Sequence, residues 1–157
     1  MQRDAKSRSD WTGRRGAAFA IILVVAIMIG LGSVVVHAAL KERRDNNERS
    51  AINSIRALNT ALYLHRQKSG DAYPKSVKEL AGSDPKVACG EDECLNSGYR
   101  FRYELLPANA MGPRYVILAR PVKHDNTGVQ SFYSDESGVI RSTTDDRPAS
   151  AGDGPVS

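Results

Sequence analysis

Cys89 and Cys94 are the two cysteines of the chain, and they bracket the segment Gly90-Glu91-Asp92-Glu93. Two thiols this close can oxidise to a disulfide or, with the acids between them, hold a metal ion. The spacing lacks the Cys-x-x-Cys pairs and histidine partners of a zinc site. The oxidised pair is the better reading, and it belongs to a compartment outside the cytoplasm. Closing so short a loop adds only ~2 kcal/mol in the chain-entropy picture, so the pair is a local clip.

Catalytic chemistry finds less support. The histidines are His37, His65 and His124, with no Gly-x-Ser-x-Gly, Gly-rich phosphate loop or His-Glu-x-x-His around them. His37 reads as an interfacial residue and His65 as part of a solvated helix face. Asp135 and Glu136 offer a carboxylate pair or a calcium loop, but adjacent acids ahead of a glycine are ordinary turn chemistry. The sequence therefore predicts no enzyme, no cofactor and no metal site.

These residues are positioned by an organisation that starts at Ala17. From Ala17 to Ala39 there is no Asp, Glu, Lys or Arg, and at ~1.5 Å per residue such a helix reaches ~35 Å. That spans a bilayer core of ~30 Å. Arg3, Lys6, Arg8, Arg14 and Arg15 precede the run against Asp4 and Asp10, whereas the far flank mixes Lys41, Arg43 and Arg44 with Glu42, Asp45 and Glu48. The positive-inside rule places the N-terminus in the cytoplasm and the remainder outside. The leader also holds most of the net charge of +4, so the basic balance signals topology. No basic cluster interleaved with aromatics remains to bind nucleic acid.

Past Leu40 the apolar pattern becomes a stripe of Ala51, Ile55, Leu58 and Leu62, spaced by four and three as on one face of a helix. No Pro or Gly separates stripe from membrane run, so one helix is expected from about Ala17 to Lys68, stopped by Ser69 and Gly70. A helical turn is expected over 76–81, with Ser76 as cap and Val77 and Leu80 pointing inward. Strands follow at Gly98–Leu105 and Tyr115–Arg120, around a turn-rich connection at 107–113. Two more, Gln130–Ser134 and Val139–Arg141, flank the hairpin turn Asp135-Glu136-Ser137-Gly138. Phe101, Tyr103, Val116 and Leu118 are expected to cover the stripe. The organisation is thus a cytoplasmic leader (1–16), a transmembrane helix (17–40), an extracytoplasmic domain (41–141) and a disordered tail (142–157) short of apolar residues. The fold class is α+β: a long N-terminal helix, half transmembrane and half amphipathic, packed on a small antiparallel β-meander.

A basic leader ending in Gly16, an apolar helix that continues as an amphipathic one, a cysteine loop and a small meander together resemble the type IV pilins and type II secretion pseudopilins. The likeness is sharpest in Asn47–Ala61 (NERSAINSIRALNTA), Ser97–Tyr103 (SGYRFRY) and Ser131–Arg141 (SFYSDESGVIR). It implies cleavage by prepilin peptidase after Gly16 and methylation of Ala17. It also implies residence in the inner membrane with a periplasmic head, or in an extracellular filament, and partner subunits met through the apolar helix. The function so implied is structural: a subunit of a type IV pilus or type II secretion pseudopilus. Two departures stand out. Ile21 occupies the place of the family's glutamate, and Ala17 that of its first phenylalanine. Some tip pseudopilins also lack the glutamate, so the resemblance points to a minor subunit. The alternative is an unprocessed single-pass protein presenting a pilin-like binding or scaffolding head.

Overall fold

The computed structural model describes residues 4–76, 78, 88–89 and 93–156, the side chains of 4–27, 29–35, 88 and 89 excepted. Helix α1 runs Asp4–Lys68, and the chain divides within it into two compact units, Met1–Lys41 and Glu42–Ser157.

In the first unit the helix already includes Asp4 and the residues that follow it up to Ala17. Asp4 to Ser9 hold no Pro or Gly to break it. The membrane reading of 17–40 and the processing positions Gly16 and Ala17 rest on side chains outside the described residues. Among the described residues, no helix is long and apolar enough to cross a membrane.

In the second unit α1 stops where the sequence predicts. Gly70 takes a left-handed φ of 66°, and the Asp71 amide donates to the Arg66 carbonyl at 3.0 Å, the six-to-one bond of a Schellman cap. The Asp71 carboxylate accepts from the Arg66 guanidinium, which holds that acid below the usual carboxylate range.

The sheet is a single antiparallel meander in the order β1-β2-β3-β4-β5-β6-β7. Its strands are β1 (Ala88–Cys89), β2 (Glu93–Asn96), β3 (Tyr99–Asn109), β4 (Gly112–Pro121), β5 (Ser131–Asp135), β6 (Ile140–Thr143) and β7 (Gly154–Pro155). The α+β class and antiparallel order agree with expectation. Ser97 and Gly98, both at positive φ, form the two-residue turn between β2 and β3, the conformation that matches strand twist. The expected connection at 107–113 is instead strand nearly throughout. Asn109 faces Gly112 across a tight turn at Ala110 and Met111, and a register shift between Leu106 and Asn109 absorbs Pro107.

One sheet face and one helix stripe share the core. Ala51, Ile55 and Leu62 are fully buried with Cys94, Tyr99, Phe101, Tyr103, Tyr115, Ile117, Ala119 and Phe132, and Leu58 packs against them while remaining partly exposed. Phe101 and Tyr103 therefore cover the stripe as expected, whereas Val116 and Leu118 do not. The register Tyr103↔Ile117 and Phe101↔Ala119 turns the alternate residues of β4 inward. The one-residue error in facing is the usual ambiguity of a continuous apolar strand.

The tail from Ser142 to Ser157 also needs correction. Thr143 still belongs to β6, Gly154 and Pro155 pair as β7 with Ser142 and Arg141, and Val156 donates to the Ile140 carbonyl at 2.9 Å. Its order comes from polar contacts that composition does not show. The Asp153 carboxylate accepts from both terminal nitrogens of Arg147 and from the Ser150 amide and hydroxyl. The guanidinium and these Ser150 donors hold that carboxyl well below the usual range. The expected helical turn at 76–81 falls largely outside the described residues, Val77 and Leu80 included.

Candidate functional site

Apolar packing along the stripe leaves the entry of the second unit's helix to be fixed by polar groups. The Glu48 carboxylate accepts from the Val129 amide at 2.7 Å and the Gln130 amide at 3.2 Å. Asn47 donates to the Thr127 carbonyl at 2.8 Å and Arg44 to the Asp125 carbonyl at 3.1 Å. Ser50 donates to Ser97, and Asn96 to Ser54. Farther along, Asn59 donates to Ser134 at 2.9 Å and accepts from the Tyr115 hydroxyl at 3.1 Å. The sequence reads Arg44 and Glu48 only as members of the mixed charged flank beyond the apolar run. Arg44, Asn47 and Glu48 dock the loop 122–130, and their signal in the sequence is that they continue the face of the stripe toward the N-terminus at helical spacing from Ala51.

That loop is pinned from beneath as well. The Tyr99 hydroxyl donates to the Gln130 carbonyl at 2.8 Å, and burial pushes the phenol above its ordinary pKa, so it stays a neutral donor. Gly128 lies against the same ring, where a Cβ would come within 2.1 Å of the hydroxyl oxygen.

On the opposite sheet face a cleft of about 250 Å³ is lined by Arg100, Arg120, Pro121, Val122, His124 and Asp146. Arg100 and Arg120 are direct partners across β3 and β4. Arg120 donates through Nη2 to Asp146 at 3.0 Å, while its Nε is buried with no hydrogen-bond partner. Arg100 lies 3.5 Å from Glu93. His124 Nε2 is 3.1 Å from the Thr144 carbonyl. A carbonyl can only accept, so that nitrogen carries a proton. The same contact, with smaller help from Asp125 and Asp146, raises the imidazole pKa.

The other residues singled out by sequence are scattered. Asp135 is spent on its turn, accepting from the Ser137 amide at 3.0 Å, and Glu136 pairs with Arg114 at 3.2 Å. They do not converge on a common point. His37 is exposed and His65 half-buried, far from His124 in the sequence. Among the described residues no group of three or more His, Cys, Asp or Glu is placed to hold a metal ion.

Cys89 and Cys94 are direct partners in the β1–β2 ladder, Cys94 is buried, and no cysteine is free among the described residues. Cross-strand partners lie ~4.5–5.5 Å apart at Cα, within the range a disulfide bridges. Alkylation without reductant should therefore leave both cysteines unmodified in protein matured in an oxidising compartment, as read by mass spectrometry of the peptide that spans them. Two alkylated thiols would overturn the pairing.

No family model, curated protein or solved structure matches the chain.

Proposed function

We propose that this chain is a membrane-anchored, pilin-like structural subunit of a type IV pilus or type II secretion pseudopilus, present at low copy. One observation carries the reading. The stripe Ala51, Ile55 and Leu62 is buried under the meander, while the run from Ala17 to Ala39 carries no charged residue over a length that suits an apolar medium. A bilayer supplies that medium for the stored subunit, and other apolar helices supply it in a filament. Gly30, Gly32 and Ser33 suit the second environment, since small residues let helices approach closely. The head then lies in the periplasm with its cysteine clip, and its role is mechanical rather than catalytic.

Low copy follows from Ile21. A carboxylate at that depth costs ~2.5–3.5 kcal/mol on insertion scales, which a filament offsets when a neighbour's terminal amine sits beside it. Isoleucine carries neither that cost nor the docking pair, and a terminal position is where the pair is least needed. The same residue favours the second reading, an unprocessed single-pass protein whose head is a binding or scaffolding module.

The N-terminal residue of protein taken from membranes and from the sheared filament fraction of its own organism separates the readings. Methylated Ala17, with a small share of the chain in the filament fraction, is the expected result. Met1 or Gln2 would support the unprocessed anchor, and Ala39 a secreted head. Abundant incorporation into filaments would overturn the minor-subunit assignment.

A further inference from the structure

The pairing of Arg100 with Arg120 is an anomaly of the sheet, because like charges directly opposite in an antiparallel ladder repel. The acids nearest them do little to cancel the repulsion. Glu93 and Asp146 each make one contact with an arginine, with side chains 53% and 66% exposed, where water and salt screen the attraction. Arg120 is also only half used. Its Nη2 serves Asp146 while its Nε, shut off from water, has no partner. A guanidinium is built to grip an oxyanion with two parallel donors, so the present single contact is an incomplete version of what the side chain can make. His124 places its imidazole beside the same cleft, and Pro121 with Val122 gives it an apolar wall.

We propose that the cleft between Arg100, Arg120 and His124 binds an oxyanion, a carboxylate or phosphate group, and that Asp146 is the internal carboxylate this ligand displaces. The two arginines converge on the anion from adjacent strands, and the apolar wall receives the carbon body of an organic acid. Asp146 sits on the segment 144–153, which β7 and the Arg147–Asp153 contacts hold in place. Displacing the Asp146 side chain therefore leaves that segment anchored. The site is independent of any filament role.

The test uses the full-length chain in a non-ionic detergent, following the imidazole NMR signal of His124, assigned by its loss in His124→Gln. Inorganic phosphate and succinate are titrated separately, with sodium chloride at matched ionic strength as control. A saturable shift with either anion and none with chloride is expected, and which anion binds more tightly tells a phosphate site from a carboxylate site. Arg120→Gln should weaken binding about tenfold, the loss of one charge-assisted hydrogen bond. Asp146→Asn should tighten it several-fold by removing the competing carboxylate, a gain that a purely structural Asp146 would not give. This second variant decides the matter if Arg120→Gln does not fold. No saturable shift, a shift that chloride reproduces, or unchanged affinity in Asp146→Asn would overturn the proposal.

Discussion

Ile55→Ala should destabilise the second unit by ~2–5 kcal/mol, the range for emptying a buried branched aliphatic site, whereas Leu58→Ala should cost less than ~2 kcal/mol. Ile55 is fully buried in the core cluster, and Leu58 only packs against its edge. The two positions are three residues apart on one stripe, so helix propensity changes little between the variants and burial decides the difference. Thermal unfolding of the full-length chain in detergent, followed by the near-ultraviolet signal of the core tyrosines, measures both. Equal shifts for the two variants would mean that the stripe faces the sheet through a different edge.

The period of the stripe was legible because a helix face needs only spacing, and Ala51, Ile55 and Leu62 are where that spacing puts them. The facing of β4 was not, since Tyr115 to Ala119 are apolar at every position and period two cannot choose between Val116 and Ile117. Its neighbour β3 was easier, because arginines and a glutamate alternate with its aromatics. The tail was misjudged for a different reason. Its order rests on Arg147, Ser150 and Asp153 meeting one another, and composition records the polarity of such residues without their geometry. Similarly, Glu48 reads as one more charge of the mixed flank beyond the apolar run, yet its carboxylate gathers the backbone amides of Val129 and Gln130. The cleft on the outer sheet face was invisible because Arg100 and Arg120 become neighbours only through the register of β3 and β4.

Gly128→Ala should cost about 3 kcal/mol, inside the range for emptying a core site, although it adds a single methyl group. The new Cβ would stand 2.1 Å from the Tyr99 hydroxyl oxygen and within 2.8 Å of two ring carbons, closer than non-bonded atoms come to rest. Tyr99 cannot yield easily. Its ring is fully buried beside Phe132, with centroids 5.8 Å apart, and its hydroxyl is tied to the Gln130 carbonyl. The loop cannot yield easily either, because Glu48, Asn47 and Arg44 hold Val129, Thr127 and Asp125 from the helix side. Overpacking of a tight site costs ~1–3 kcal/mol and occasionally more, and a contact opposed by both a buried ring and a docked loop belongs at the upper end. Tyr99→Leu by itself also destabilises, through the lost ring and hydrogen bond. The double variant should nonetheless be more stable than the sum of the two losses, since the methyl then enters space the ring has left, and neighbours in contact couple by ~0.5–3 kcal/mol. Melting of the two single variants and the double variant supplies the cycle. Strict additivity would show that the loop moves away from Tyr99 instead of pressing on it, and that the Glu48 contacts are weaker than their geometry implies.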